Sequence, residues 1–178
     1  MKLHLGCGKR DFGSEWIHID QGDYPHLHSN NIEQLPFEND SMEVIYASHV
    51  IEYFDREEIG SILLEWRRVL KEGGILRIAV PDFQKITKLY RDEGTQLRLF
   101  LGPLYGRMLV DDKYIYHKTT YDYDGLQEVL GNAKFRNVRE WDWRETEHSQ
   151  FDDHSQAHLP HMNKDTGTLM SLNVEAEK

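Results

Sequence analysis

A chain of 178 residues with 39% hydrophobic and 29% charged residues has the length and make-up of one soluble globular domain. Its formal net charge of −10 argues against a general nucleic-acid binder, because phosphate contacts need a basic surface. A lone cysteine excludes an internal disulfide framework, no apolar run approaches the ~18 residues of a membrane span, and no signal-peptide pattern opens the chain, so a cytoplasmic location is expected.

The first apolar run, Lys2–Leu5, breaks into Gly6-Cys7-Gly8. Glycine has no Cβ, so such a turn lets the backbone bend sharply and approach a ligand. A second run, Trp16–Asp20, closes on an acid able to accept hydrogen bonds from two ribose hydroxyls. The spacing selects the cofactor. A dinucleotide site needs a third glycine, a helix, and an acid about 20 residues on. Gly13 comes too late, and the twelve residues from Gly8 to Asp20 leave no room for a strand and a full helix. A pyrophosphate would lack its helix N-terminus, whereas the ribose and adenine of S-adenosylmethionine need none.

Further along, short apolar runs alternate with helical patterns, the mark of an α/β fold with a mainly parallel sheet. A brief third strand is expected near Leu27–Ser29 and a fourth over Val44–Ser48. Asp55 and Glu58 form a capping box ahead of Ile59, Ile62, Leu63, Trp66, Val69 and Leu70, an apolar stripe with helical spacing. Gly73-Gly74 is expected to stop that helix before a fifth strand, Ile75–Val80. Helices are predicted over 83–92, 96–109 and Tyr123–Gly131, then a strand over Val138–Trp143 and a last one over Leu169–Glu175, its antiparallel partner. The polar stretch Arg144–Gly167 between these two is long for a loop in a compact domain, and is read as a candidate lid.

Taken together, "LHLGCGKRDF", "WIHID", "LPFENDSMEVIYASHVIEYF" and "EWRRVLKEGGILRIAVPD" resemble the class I S-adenosylmethionine-dependent methyltransferases of the small methyltransferase-11-like type, over Leu3 to about Asp82. The closer likeness is to a predicted S-adenosylmethionine-dependent methyltransferase group with a shortened first crossover. The resemblance implies a single Rossmann-like domain over residues 1–178, with sheet order 3-2-1-4-5-7-6 and strand 7 antiparallel. It implies that Leu5, Gly6, Cys7 and Gly8 lie against the methionine and ribose of the cofactor. It makes Asp20 the ribose acceptor, puts Asn31 and Ile32 at the adenine, and sets Ser48 and His49 at the methionine end. The shortened crossover removes a helix that helps cover the cofactor, and the 144–167 loop is expected to replace it.

Methyl transfer from a sulfonium chiefly needs acceptor and methyl aligned, and a hydroxyl acceptor also needs a base. His49 is the first candidate, at the sheet edge nearest the methyl. Asp82 is the second, although aspartate there also suits a helix N-cap. Glu52, Tyr116 and His117 are candidates for lining the pocket. The stretch 85–118 carries seven basic residues against Asp92, Glu93, Asp111 and Asp112, a charge that would suit an anionic acceptor or simply form a solvated face. His148, Asp152, Asp153, His154, His158 and His161 are metal-ligand types but match no ligand spacing, so no metal is expected. No Asp-Pro-Pro-Tyr type motif and no second cysteine are present, which disfavours methylation of nucleic-acid bases. The expected reaction is transfer to an O or N of a small-molecule or sugar-like acceptor, with no nucleic-acid or membrane partner. The alternatives are a degenerate module that binds the cofactor without turnover, and an NAD or nucleotide-sugar enzyme on a related sheet.

Overall fold

In a computed structural model, residues 1–110 and 112–178 are described, which leaves Asp111 of the basic stretch outside the description. Four parallel strands form the sheet's core: β1 (Lys2–Leu5), β2 (Trp16–Ile19), β3 (Met42–Ser48) and β4 (Leu70–Pro81). β1 lies between β2 and β3 with Leu3 opposite Ile17 and Ile45, and β3 pairs with β4. α1 (Ile59–Val69) links β3 to β4, and α2 (Phe83–Asp92) follows. α3 (Leu101–Tyr105) and a hairpin of β5 (Met108–Val110) and β6 (Lys113–Ile115) come next, then α4 (Tyr123–Asn132) and β7 (Arg136–Glu140). A two-residue ladder joins β8 (His158–Leu159) to β9 (Thr168–Leu169), and β10 (Ser171–Glu177) enters the sheet antiparallel between β4 and β7.

The order β2-β1-β3-β4-β10-β7 has the expected topology with one strand fewer. The strand expected near Leu27–Ser29 shrinks to a single parallel bridge from Ser29 to Ile19. His26, His28 and Ser29 offer no alternating apolar face to bury there. The helix predicted over 96–109 is also corrected. Gly106, at φ +52°, ends α3 after five residues, and the chain turns back as a hairpin. α1 begins at Ile59, after a turn in which Asp55 N–H donates to Glu58 Oε2 at 3.1 Å. It ends at Val69, ahead of Gly73, because Leu70 is already extended and opposite Met42. The last two strands lie two residues away from their predicted positions, β7 earlier and β10 later. Arg139 explains that register, bonding Glu175 at 2.8 Å and Glu177 at 2.9 Å.

Strand periodicity divides the sheet into two faces. Leu3, Leu5, Ile19, Ile45, Ala47, Leu76, Ile78 and Val80 face one side, where Ile62, Leu63 and Trp66 of α1 and Leu126 and Leu130 of α4 bury them. The other face carries His4, Trp16, His18 and Tyr46, and the 144–167 segment packs on it. Phe151 and His148 stack on Phe12 with ring centroids 4.7 and 5.3 Å apart, and Asp153 accepts from the Tyr46 hydroxyl at 2.6 Å. The Arg10 side chain donates to the Asp152 carbonyl at 2.7 Å.

Buried imidazoles on this second face make it acid-sensitive. Burial, and then the Arg77 charge, push His148 down from 6.5 to about 4. A depressed histidine contributes stability that is complete above its unfolded value and is lost as pH falls toward the folded value. Near-UV circular dichroism from Trp16 and Trp141 is therefore expected to fall between pH 6.5 and 4 ahead of the far-UV signal. His148→Phe is expected to move that transition to lower pH, by on the order of 2 kcal/mol of retained stability at pH 4. An unmoved transition would show that this histidine does not set it.

Candidate active site

The site lies at the carboxyl ends of the parallel strands, where open α/β sheets bind ligands. Gly6 and Gly8 follow β1, Asp20 follows β2, and Ser48 and His49 end β3, and all five line one cavity of about 1430 Å³. Gly6 has φ +65°, and a Cβ there would run into Val50 Cγ2, so only glycine fits that turn. Asp20 organises the turns around it. Its Oδ2 accepts from Gly8 N–H and its Oδ1 from Gly22 N–H, each at 2.7 Å. Each carboxylate oxygen keeps a second lone-pair direction, so two ribose hydroxyls can still be accepted. The glycine cradle and a carboxylate with acceptor capacity to spare fit a phosphate-free nucleoside.

Several expected residues point elsewhere. Leu5 is fully buried in the apolar core. Cys7 is also buried, 3.6 Å from His26 Nε2, and burial followed by the Asp20 charge pushes its thiol up to about 12. Neither side chain lines the cavity. Ile32 does, but the exposed Asn31 uses its Oδ1 to accept from Glu33 and Gln34 N–H, both at 2.9 Å, and lies in a neighbouring surface groove. Glu33, not singled out from the sequence, borders both spaces. Asp82 is corrected as a catalytic candidate. It caps α2 by accepting from Lys85 N–H at 3.0 Å and is absent from the cavity wall.

Two segments complete the wall. One runs from Arg98 to Lys118 and brings Arg98, Arg107, Tyr114, Tyr116 and His117, so part of the basic stretch does face the cavity. The other is the 144–167 segment, which contributes His154, His158 and His161. Among the described residues, no group of three or more histidine, cysteine or acidic side chains is arranged to hold a metal. No helix among them is long and apolar enough to cross a membrane.

Behind the wall sits Glu52, wholly buried, with neither carboxylate oxygen hydrogen-bonded. Burial pushes its carboxyl up to about 8. It is therefore not among the residues that line the cavity. Sequence could not show this, because the enclosure comes from Lys118 and Thr119, whose N–H groups bond the Glu52 carbonyl at 2.7 and 3.2 Å.

Comparison with known proteins agrees with this geometry. A methyltransferase domain family model matches residues 9–78, well under half of the chain but spanning β2 to most of β4. No curated protein matches. Among solved structures, an S-adenosylmethionine-dependent methyltransferase from Archaeoglobus fulgidus is similar at TM-score 0.58 and 16% identity, covering 99% of this chain and 85% of that one. One from Methanosarcina mazei is similar at TM-score 0.56 and 18% identity, covering 99% and 91%. The Burkholderia thailandensis 1,6-didemethyltoxoflavin-N1-methyltransferase, solved with 1,6-didemethyltoxoflavin and S-adenosylhomocysteine, is similar at TM-score 0.56 and 11% identity, covering 99% and 70%. At these identities the structures speak for the fold, and the family match for its cofactor half. The chain thus has the fold of the class I S-adenosylmethionine-dependent methyltransferases and matches the methyltransferase domain over residues 9–78.

Proposed function

We propose that the protein methylates an oxygen or nitrogen of a small-molecule acceptor, held between the basic 98–118 segment and the 144–167 segment. The carrying observation is the single cavity that joins the glycine turn and Asp20 to His49 and these two walls. When bound, the cofactor supplies an electrophilic methyl carbon: its bond to sulfur breaks, the electron pair stays on sulfur, and the acceptor's lone pair forms the new bond. The chain's own part is mainly alignment, worth up to about 7–11 kcal/mol when reacting atoms are held in near-attack geometry. In this reading Gly6 and Gly8 seat the methionine and ribose, Asp20 holds the ribose, and Ile32 packs at the adenine. Ser48 and His49 flank the reacting end, and the 144–167 segment acts as a fixed cover. Arg98 and Arg107 favour an acceptor with an anionic group.

Calorimetry tests the first half. S-adenosylhomocysteine is expected to bind one to one, with no thermal shift on adding NAD. The reverse pattern would move the site to dinucleotide chemistry. A labelled-methyl assay over hydroxyl and amine acceptors, each with and without a carboxylate, tests the second half. Equal rates with and without the carboxylate would remove the role given to the arginines.

A further inference from the structure

A group of buried polar side chains beside the acceptor end remains unpartnered: Ser48 Oγ, His49 Nε2, both Glu52 oxygens and the Tyr121 hydroxyl. Buried polar groups in folded proteins are nearly always hydrogen-bonded, so such a concentration needs an explanation. Two of these groups, Glu52 and His49, share one line of contact with His117. Glu52 Oε1 lies 3.6 Å from His49 Nδ1 and 3.9 Å from His117 Nε2. His117 Nδ1 is 3.0 Å from the Pro103 carbonyl, which can only accept, so Nδ1 carries the proton and Nε2 of the neutral ring has a lone pair toward Glu52. Both rings line the cavity, and Glu52 sits behind them.

Backbone geometry maintains the arrangement. His49 adopts the left-handed region at φ +54°, a strained conformation for a non-glycine residue that the surroundings must offset. The N–H groups of Lys118 and Thr119 bind the Glu52 carbonyl and fix the strand end against the segment after β6. Gly106 is in van der Waals contact with the His117 ring, and any Cβ there would overlap it.

We propose that Glu52, backed by His117, holds His49 as the Nδ1–H tautomer and leaves Nε2 without a protein partner at the cavity wall, making it the general base for a hydroxyl acceptor. This rests on the reading above that the acceptor lies beside His49, and it narrows the acceptor atom to oxygen. The hydroxyl proton passes to His49 Nε2 as the acceptor oxygen bonds to the methyl carbon, and the carbon–sulfur electron pair stays on sulfur. His49 becomes an imidazolium whose Nδ1–H faces Glu52. The new charge draws the Glu52 proton toward His117 Nε2, so the buried site holds one net positive charge shared over three groups. A neutral amine needs no such device, because its lone pair attacks before a proton is lost. Glu52 and His117 are positioning residues, and His49 is the catalytic one. The groups facing this set are Arg10 from the loop after β1, Tyr53 and Tyr121 beside Glu52, and His154 from the 144–167 segment, its ring centroid 5.0 Å from that of His49. Burial, then His154 and His117, keeps His49 well below its ordinary value and therefore unprotonated at neutral pH, as a base must be.

The test is 15N NMR of histidine-labelled protein, free and saturated with S-adenosylhomocysteine, from pH 3 to 9, with His49 assigned by its loss in His49→Gln. The expected result is an Nδ1–H tautomer for His49, with a protonation midpoint about one to three pH units lower in Glu52→Gln, which cannot ionise. A proton on Nε2 of His49, or an unchanged midpoint in Glu52→Gln, would overturn the proposal. Should that variant fail to fold, the wild-type tautomer decides alone. Failure of the cofactor reading appears separately, as absent binding in the same titration.

Discussion

Replacing Asp20 with alanine is expected to raise the dissociation constant for S-adenosylhomocysteine by on the order of 100-fold, with the fold retained. Hydrogen bonds to a charged group contribute about 1.5–3 kcal/mol each, and the carboxylate has directions left for two hydroxyls after binding Gly8 and Gly22 N–H. Two such bonds at the low end amount to about 3 kcal/mol, or two decades in affinity. Alanine also releases both turns, so the loss comes partly from a less ordered cradle. Asp20→Asn keeps one acceptor oxygen but turns a second N–H donor against a backbone N–H, and is expected to fall between alanine and wild type. Calorimetry gives all three values, with near-UV circular dichroism as the fold control. An alanine variant within threefold of wild type would mean that this carboxylate does not hold the nucleoside.

Glu52→Gln is expected to stabilise the protein, increasingly with pH. The carboxyl ionises near 4.5 in the unfolded chain and near 8 when buried. Between those values the unfolded state releases a proton that the folded state keeps, so wild-type stability falls as pH rises from 4.5 to 8. Glutamine is isosteric and has no charge to lose. The variant should match wild type at pH 4.5 and exceed it by about 4 kcal/mol at pH 8, roughly 10 °C in Tm for a domain of this size. The backbone bonds from Lys118 and Thr119 are untouched by the change. Calorimetric melts of both proteins from pH 4.5 to 8 check this, and a Tm difference that does not grow with pH would show that Glu52 is not held neutral. Methyl transfer to a hydroxyl should meanwhile slow, which would make Glu52 a destabilising residue retained for chemistry.

What could be read from the chain divides along physical lines. β1, β2, β3 and the main part of β4 were legible because one face of each is apolar and the pattern repeats every second residue. The glycine turn and Asp20 were legible because their constraints are local: a backbone that excludes Cβ, and an acid at a strand end. The register of β7 was not, since Arg136, Arg139 and Glu140 look like a solvated run until Glu175 and Glu177 lie opposite. Asn31 shows a different failure. Its residue type suits a ligand, but its oxygen is already taken by a turn two residues long. Glu52 was named yet misread, because its burial depends on residues more than sixty positions away. The helix predicted over 96–109 fails at Gly106, whose left-handed backbone ends α3 at Tyr105.

The cover over Phe12, Trp16 and Tyr46 has a consequence for how the molecule is made. These rings belong to the first 46 residues, whereas Phe151, His148 and Asp153, which shield them, are translated more than a hundred residues later. Until then a ribosome-bound intermediate would display a sticky aromatic surface in which strands already pair but nothing seals the back. Late contacts between distant positions slow folding and favour aggregation. Productive synthesis would thus depend on that surface staying unengaged until residues 148–153 emerge.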